Sequence, residues 1–180
     1  MSSSMALRVC ALLVPLLFCS VALQRDADKD TKAMVQASYM YNIAKLVDWK
    51  DPQMRNGNFV IGVVGGANLY QELIKKYATK TIGKQPIEVR KLPRTANVEQ
   101  CHMLFVGSSE LDLIGDIYKN LRNKNTLIVT EYDGALEDGA VVNFVNADQV
   151  VKYELSMRNA QAHGLQVGST LKQLAHRVIE

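Results

Sequence analysis

A thiol beside an imidazole is the raw material of a base-activated nucleophile, and Cys101-His102 is the one place in this chain where the two are adjacent. Their spacing argues against a dyad. The pair opens the apolar run "HMLFV", and consecutive residues of a strand point to opposite faces. A nucleophilic Cys101 would need His163 or His176 from elsewhere, and Cys101 is otherwise a small buried hydrophobe. Two glycine turns carry a second possibility. Gly65-Gly66 follows "FVIGVV" and Gly107-Ser108-Ser109 follows "HMLFV", the strand exits where open α/β sheets gather ligands and where helix N-termini offer free N–H groups to an anion. Yet "GVVGGANLY" matches neither the dinucleotide fingerprint nor the phosphate loop. Turn and cap chemistry explains the same residues, with Ser109 and Asp112 forming a capping-box-like Ser-x-x-Asp. Glu131, Asp133, Glu137 and Asp138 lack calcium-loop spacing, and Gly134 and Gly139 among them suggest a solvated loop. No His/Cys spacing suits zinc. The expectation is therefore no catalytic residue, no metal and no cofactor.

The elements that must position these residues follow from periodicity. Asp28 to Val47 places Met34, Ala37, Met40, Tyr41, Ala44 and Val47 at steps of three and four, an amphipathic helix that ends before Lys50-Asp51-Pro52. Trp49, the single tryptophan, sits at its exit as a core plug. "NFVIGVVGG" is a β-branched run suited to a strand covered on both faces. A helix over Asn68 to Ala78, a strand in "IEVRKL", a buried strand in "HMLFVG", a helix over Leu111 to Leu121 and a strand over Thr126 to Thr130 complete two β-α-β units. "AVVNFV" and "VVKYEL" flank Asn146-Ala147-Asp148-Gln149 as an antiparallel hairpin. Ser156 to His163 reads as a short helix stopped at Gly164, and Ser169 to Val178 as a final helix with Leu171, Leu174, Ala175 and Val178 inward. The expected fold is a single-domain α/β three-layer sandwich with a mixed, mostly parallel sheet, a C-terminal β-hairpin and C-terminal helices.

The N-terminus points to export. Met1 to Arg8 carries Arg8 as its only charge, Val9 to Phe18 is uninterrupted apolar sequence, and Ser20-Val21-Ala22 is a small-x-small exit, so cleavage is expected after Ala22. An uncleaved anchor needs a longer apolar run, of about 20 residues. A lipoprotein signal ending at Cys19 would place bulky Phe18 where processing wants a small side chain. The expected organisation is a signal peptide over 1–22, an N-terminal segment over 23–33 and one domain over 34–180, long enough for a single core. Cleavage removes Cys10 and Cys19 and leaves Cys101 without an intrachain disulfide mate. It also removes one of 21 basic residues, against 18 acidic ones. Neither "KLPR" nor "IKKY" clusters charge as a nucleic-acid surface requires.

In order, "YMYNIAKLVDW", "FVIGVVGG", "CHMLFVGSSE" and "GAVVNFVNADQVVKYELSMRNAQAHGLQVGSTLKQLA" resemble the YfiR family of exported bacterial proteins, over roughly Val35 to Val178. The resemblance implies a periplasmic, homodimeric regulator. Such a protein holds an inner-membrane diguanylate cyclase inactive by binding its periplasmic sensory domain, and its release raises cyclic di-GMP and favours biofilm. The implied partner is that membrane cyclase or sensor, with no nucleic acid and with contact to the membrane only through the partner. Well-known members carry disulfides, which a solitary Cys101 cannot reproduce within one chain. An intermolecular disulfide or a sulfenic acid at an exposed Cys101 remains as the redox alternative. Two other function classes stand beside this one: a small-ligand or anion sensor or carrier using Gly65, Gly66, Gly107, Ser108 and Ser109, and an exported hydrolase with Cys101 or Ser108 as nucleophile.

Overall fold

The fold is built outward from four short runs that are buried on both sides. Phe59–Val64 (β2), Met103–Val106 (β5), Leu127–Thr130 (β6) and the start of Val142–Ala147 (β7) are almost wholly inaccessible, so they occupy the middle of a sheet with a layer on each face. The computed structural model describes residues 28–95, 97–98 and 100–180. The signal-peptide reading of residues 1–22 lies outside them. Among the described residues no helix is long and apolar enough to cross a membrane.

With Gln85–Lys91 (β4), the parallel strands run β4-β2-β5-β6-β7, the doubly wound order in which the sequence reverses direction between β2 and β5. Helices 28–46 (α1) and Ala67–Tyr77 (α2) cover one face. Ala33, Ala37, Met40, Ile43 and Ala44 of α1, with Leu69 and Leu73 of α2, pack there on Phe59, Ile61, Met103 and Phe105. The α1 stripe is thus rotated slightly from the expected one, and Met34 is 37% exposed. Leu111–Leu121 (α3) covers the other face, where Ile114, Ile117 and Leu121 meet Val64, Leu104, Val106 and Ile128. The expected layered, mostly parallel α/β architecture is the one observed.

Four details differ from expectation, two of them because a partner distant in sequence intervenes. Val47–Trp49 (β1) leaves α1 to pair with Leu165–Val167 (β9) as a separate two-stranded ribbon, which seats Trp49 edge-on to Phe59 at 5.0 Å. Thr81–Ile82 (β3) adds an antiparallel edge to β4. The hairpin between β7 and Val150–Ser156 (β8) turns on only Asp148 and Gln149, whose φ of 53° and 61° match the two left-handed positions of a type I′ turn. The last helix is shorter than expected. After Ala135–Asp138 (α4) and Met157–Ala162 (α5), Ser169–Leu174 (α6) stops at Ala175, and Arg177–Ile179 (β10) pairs in parallel with β8. Edge groups of β8 gain backbone partners this way, and Arg177 Nε reaches Glu154 at 2.7 Å. Consequently Leu171 is buried as expected, but Leu174 stands 67% exposed.

Candidate functional site

The reversal between β2 and β5 brings the two glycine turns side by side, since the strands end in register at Val64 and Val106. Gly107 N donates to Val64 O at 2.9 Å. Gly65 and Gly66 hold φ of 72° and 61°, and a Cβ on Gly66 would lie 2.8 Å from the Phe105 ring. A Cβ on Gly65 would meet the Glu110 and Ser109 side chains, and one on Gly107 would lie 3.2 Å from Gly66 N. These glycines let two loops lie against each other, and the space they leave is already taken by the protein's own side chains.

Two carboxylates sit at these turns. Glu131, at the end of β6, accepts from the Ser108 backbone N–H and hydroxyl at 3.4 Å each through Oε1. Its Oε2 accepts from Gln36 Nε2 at 2.8 Å and pairs with Lys32 Nζ at 2.7 Å. Burial pushes the Glu131 carboxyl up, but the Lys32 ammonium and Gln36 amide outweigh it and hold the group below its ordinary value. Glu110 is buried, accepts from Ser109 Oγ at 2.9 Å, and lies 2.8 Å from Arg94 Nε, while Arg94 Nη2 grips both Asp112 oxygens at 2.7 and 2.8 Å. The anticipated capping box is therefore not formed. Ser108–Glu110 make a 3-10 turn, Ser109 bonds Glu110, and Asp112 is drawn to Arg94. The Ser108 donors that an incoming anion would need are used by Glu131.

Glu131 thus ties α1 to the ligand-gathering edge of the sheet, a role that a reading of "TEYDGALED" as a solvated loop missed. The available signal was Lys32 and Gln36, four residues apart on α1 and able to meet one carboxylate. Glu131→Gln is expected to cost about 1–3 kcal/mol of stability in urea unfolding at neutral pH. Because the folded pKa is depressed, that contribution is present above the unfolded carboxyl value and fades as pH falls through the folded one. Equal midpoints for the two proteins at pH 7 would refute the tie.

Cys101 and His102 are pulled into different layers. Cys101 is 3% exposed in the α3-side cluster, and burial pushes its thiol up to about 12. An exposed thiolate, which both oxidative fates and nucleophilic attack require, is not what this environment provides. With Cys10→Ser and Cys19→Ser in place, the native protein is expected to resist a disulfide reagent at mildly alkaline pH and to react only on denaturation. Rapid stoichiometric labelling of the folded protein would contradict the burial. His102 stacks on Phe59 at 4.5 Å, and both ring nitrogens are engaged: Nδ1 accepts from Val60 N–H at 3.0 Å and Nε2 donates to the Met54 carbonyl at 2.6 Å. His163 is buried as well, and His176 is exposed beyond α6. Ser108 has Glu131 for its neighbour, and among the described residues no histidine bonds to it.

The family described as DUF4154, YfiR/HmsC-like, matches residues 33–176, from within α1 through the hairpin to just past α6. No curated protein matches the chain.

Proposed function

Given that the chain belongs to the YfiR/HmsC-like family, we propose that it is a periplasmic repressor that binds the periplasmic sensory domain of an inner-membrane diguanylate cyclase and holds that enzyme inactive. At family level this is a regulator of diguanylate cyclase signalling. The observation that carries the reading is the extent of the match, which covers every layer of the fold. The closed strand-end crevice supports it, because carboxylates of the chain itself occupy the place where this topology elsewhere holds substrates. Repression needs only differential affinity: binding the inactive cyclase better than the active one by a few kcal/mol shifts the population toward inactivity. The protein works as a homodimer, exported by cleavage after Ala22, and its release raises cyclic di-GMP and biofilm.

Deleting the gene is expected to raise cellular cyclic di-GMP, and the tagged protein is expected to co-purify a membrane cyclase from detergent extracts. An unchanged cyclic di-GMP level together with no co-purifying cyclase would end this reading. Sedimentation of the purified protein as a monomer would remove the homodimer from it.

A further inference from the structure

On the α3 side of the sheet, away from the glycine turns, α3, the end of α4 and α5 enclose a cleft of about 610 Å³. Arg122 from the end of α3 and Arg158 from α5 both line it, and among the described residues neither has an ion pair or side-chain hydrogen bond. Lys119 adds a third cation, partly satisfied by Asp116 at 3.1 Å. Asp138 is the one acid of the lining, and its Oδ2 accepts the Tyr132 hydroxyl at 3.0 Å. Both arginines are exposed, and two guanidinium groups without acidic partners on the lining of one cleft suit an anion that each can fork onto.

Two further features lie in the same cleft. His163, only 7% exposed, contributes a ring whose Nδ1 is buried with no hydrogen-bond partner, an unusual condition for a buried polar atom. Gly115 sits in the interior of α3, where glycine costs about 1 kcal/mol relative to alanine, and outside its own stretch of helix nothing lies within 4 Å of where its Cβ would be. It does not serve close packing or a left-handed turn. Its effect is to leave that side of the cleft open.

We propose that this cleft is a binding site for a small molecule bearing an oxyanion, phosphate or carboxylate, clamped by Arg122 and Arg158 beside the His163 ring. Planar guanidinium forks match the paired oxygens of both groups, and Tyr118 and Ile114 supply apolar surface for the remainder of the molecule. The site stands apart from the cyclase-binding reading and is tested on the purified protein alone.

Isothermal titration with inorganic phosphate and, separately, with citrate separates the two oxyanion classes, with sodium chloride at matched ionic strength as control. Saturable binding of at least one is expected, accompanied by movement of the His163 ring resonances in NMR. Arg122→Gln/Arg158→Gln is expected to weaken it by at least about tenfold. Gly115→Leu is expected to abolish binding while leaving the melting temperature equal or higher, because it fills the cleft and improves the helix. Absence of saturable binding by either anion, or unchanged affinity in the double arginine variant, overturns the proposal.

Discussion

Phe105→Ala is expected to lower the unfolding free energy by about 3–5 kcal/mol, a large share of the roughly 5–15 kcal/mol that holds a domain together. Phe105 lies in the central strand β5, flanked in register by Val63 of β2 and Val129 of β6, and is 1% exposed. Its ring also backs the Gly66 turn, so truncation removes packing from the sheet and from the loop together. For a domain of this size the melting temperature should fall by roughly 10 °C. Gly66→Ala is a useful companion because two effects oppose it: a φ of 61° and a Cβ 2.8 Å from the Phe105 ring. Removing the ring relieves the second and leaves the first. The double variant is therefore expected to be more stable than the sum of the singles predicts, by about 1 kcal/mol. A Phe105→Ala cost below about 1 kcal/mol would mean that the ring does not fill this space.

His102→Leu is expected to cost about 1–3 kcal/mol, although leucine suits an apolar site. The imidazole accepts from the Val60 N–H, and losing that acceptor costs about 1–3 kcal/mol, whereas the Met54 carbonyl keeps Gln85 Nε2 as a donor at 3.1 Å. The same residue sets a pH dependence. Burial pushes the His102 pKa down, partly countered by the hydrogen bond to Met54, and burial pushes His163 down as well. A base whose folded pKa is depressed binds its proton more readily in the unfolded chain. Stability is therefore full above about pH 6.5, the ordinary histidine value, and declines as pH falls toward the folded values. Glu131 and Glu154, both depressed despite burial by Lys32 and by Arg177, add a second decline in the carboxylate range. Urea midpoints measured from neutral pH downward should show both declines, and His102→Leu should flatten the first. A wild-type profile flat through the histidine range would contradict neutral, buried rings.

Both predictions rest on contacts that local sequence could not supply. What it did supply is visible in Leu111–Leu121, whose ends match the periodic pattern, and in β2 and β5, where unbroken apolar runs announced burial on both faces. Glycines at 65, 66 and 107 marked strand exits because left-handed or crowded backbone needs them. The capping box at Ser109 failed because Arg94, from another loop, competes for Asp112. The helix over Ser169 to Val178 failed for a related reason: the exposed edge of β8 offered the chain hydrogen bonds that a continued helix would have had to outweigh.

By itself, then, the sequence determined the alternation of strands and helices, the family to which the chain belongs and the absence of a Cys-His dyad between neighbours, since all of these depend on residue type and spacing along the chain. The tertiary structure decided which charges meet. It brought Glu131 to Lys32 and Ser108, closing the turns that looked ready for an anion, and left Arg122 and Arg158 lining one cleft with no ion pair among the described residues. Charge neutralisation acts over a few ångströms in space, and partners that far apart along the chain are specified only when the sheet order is complete.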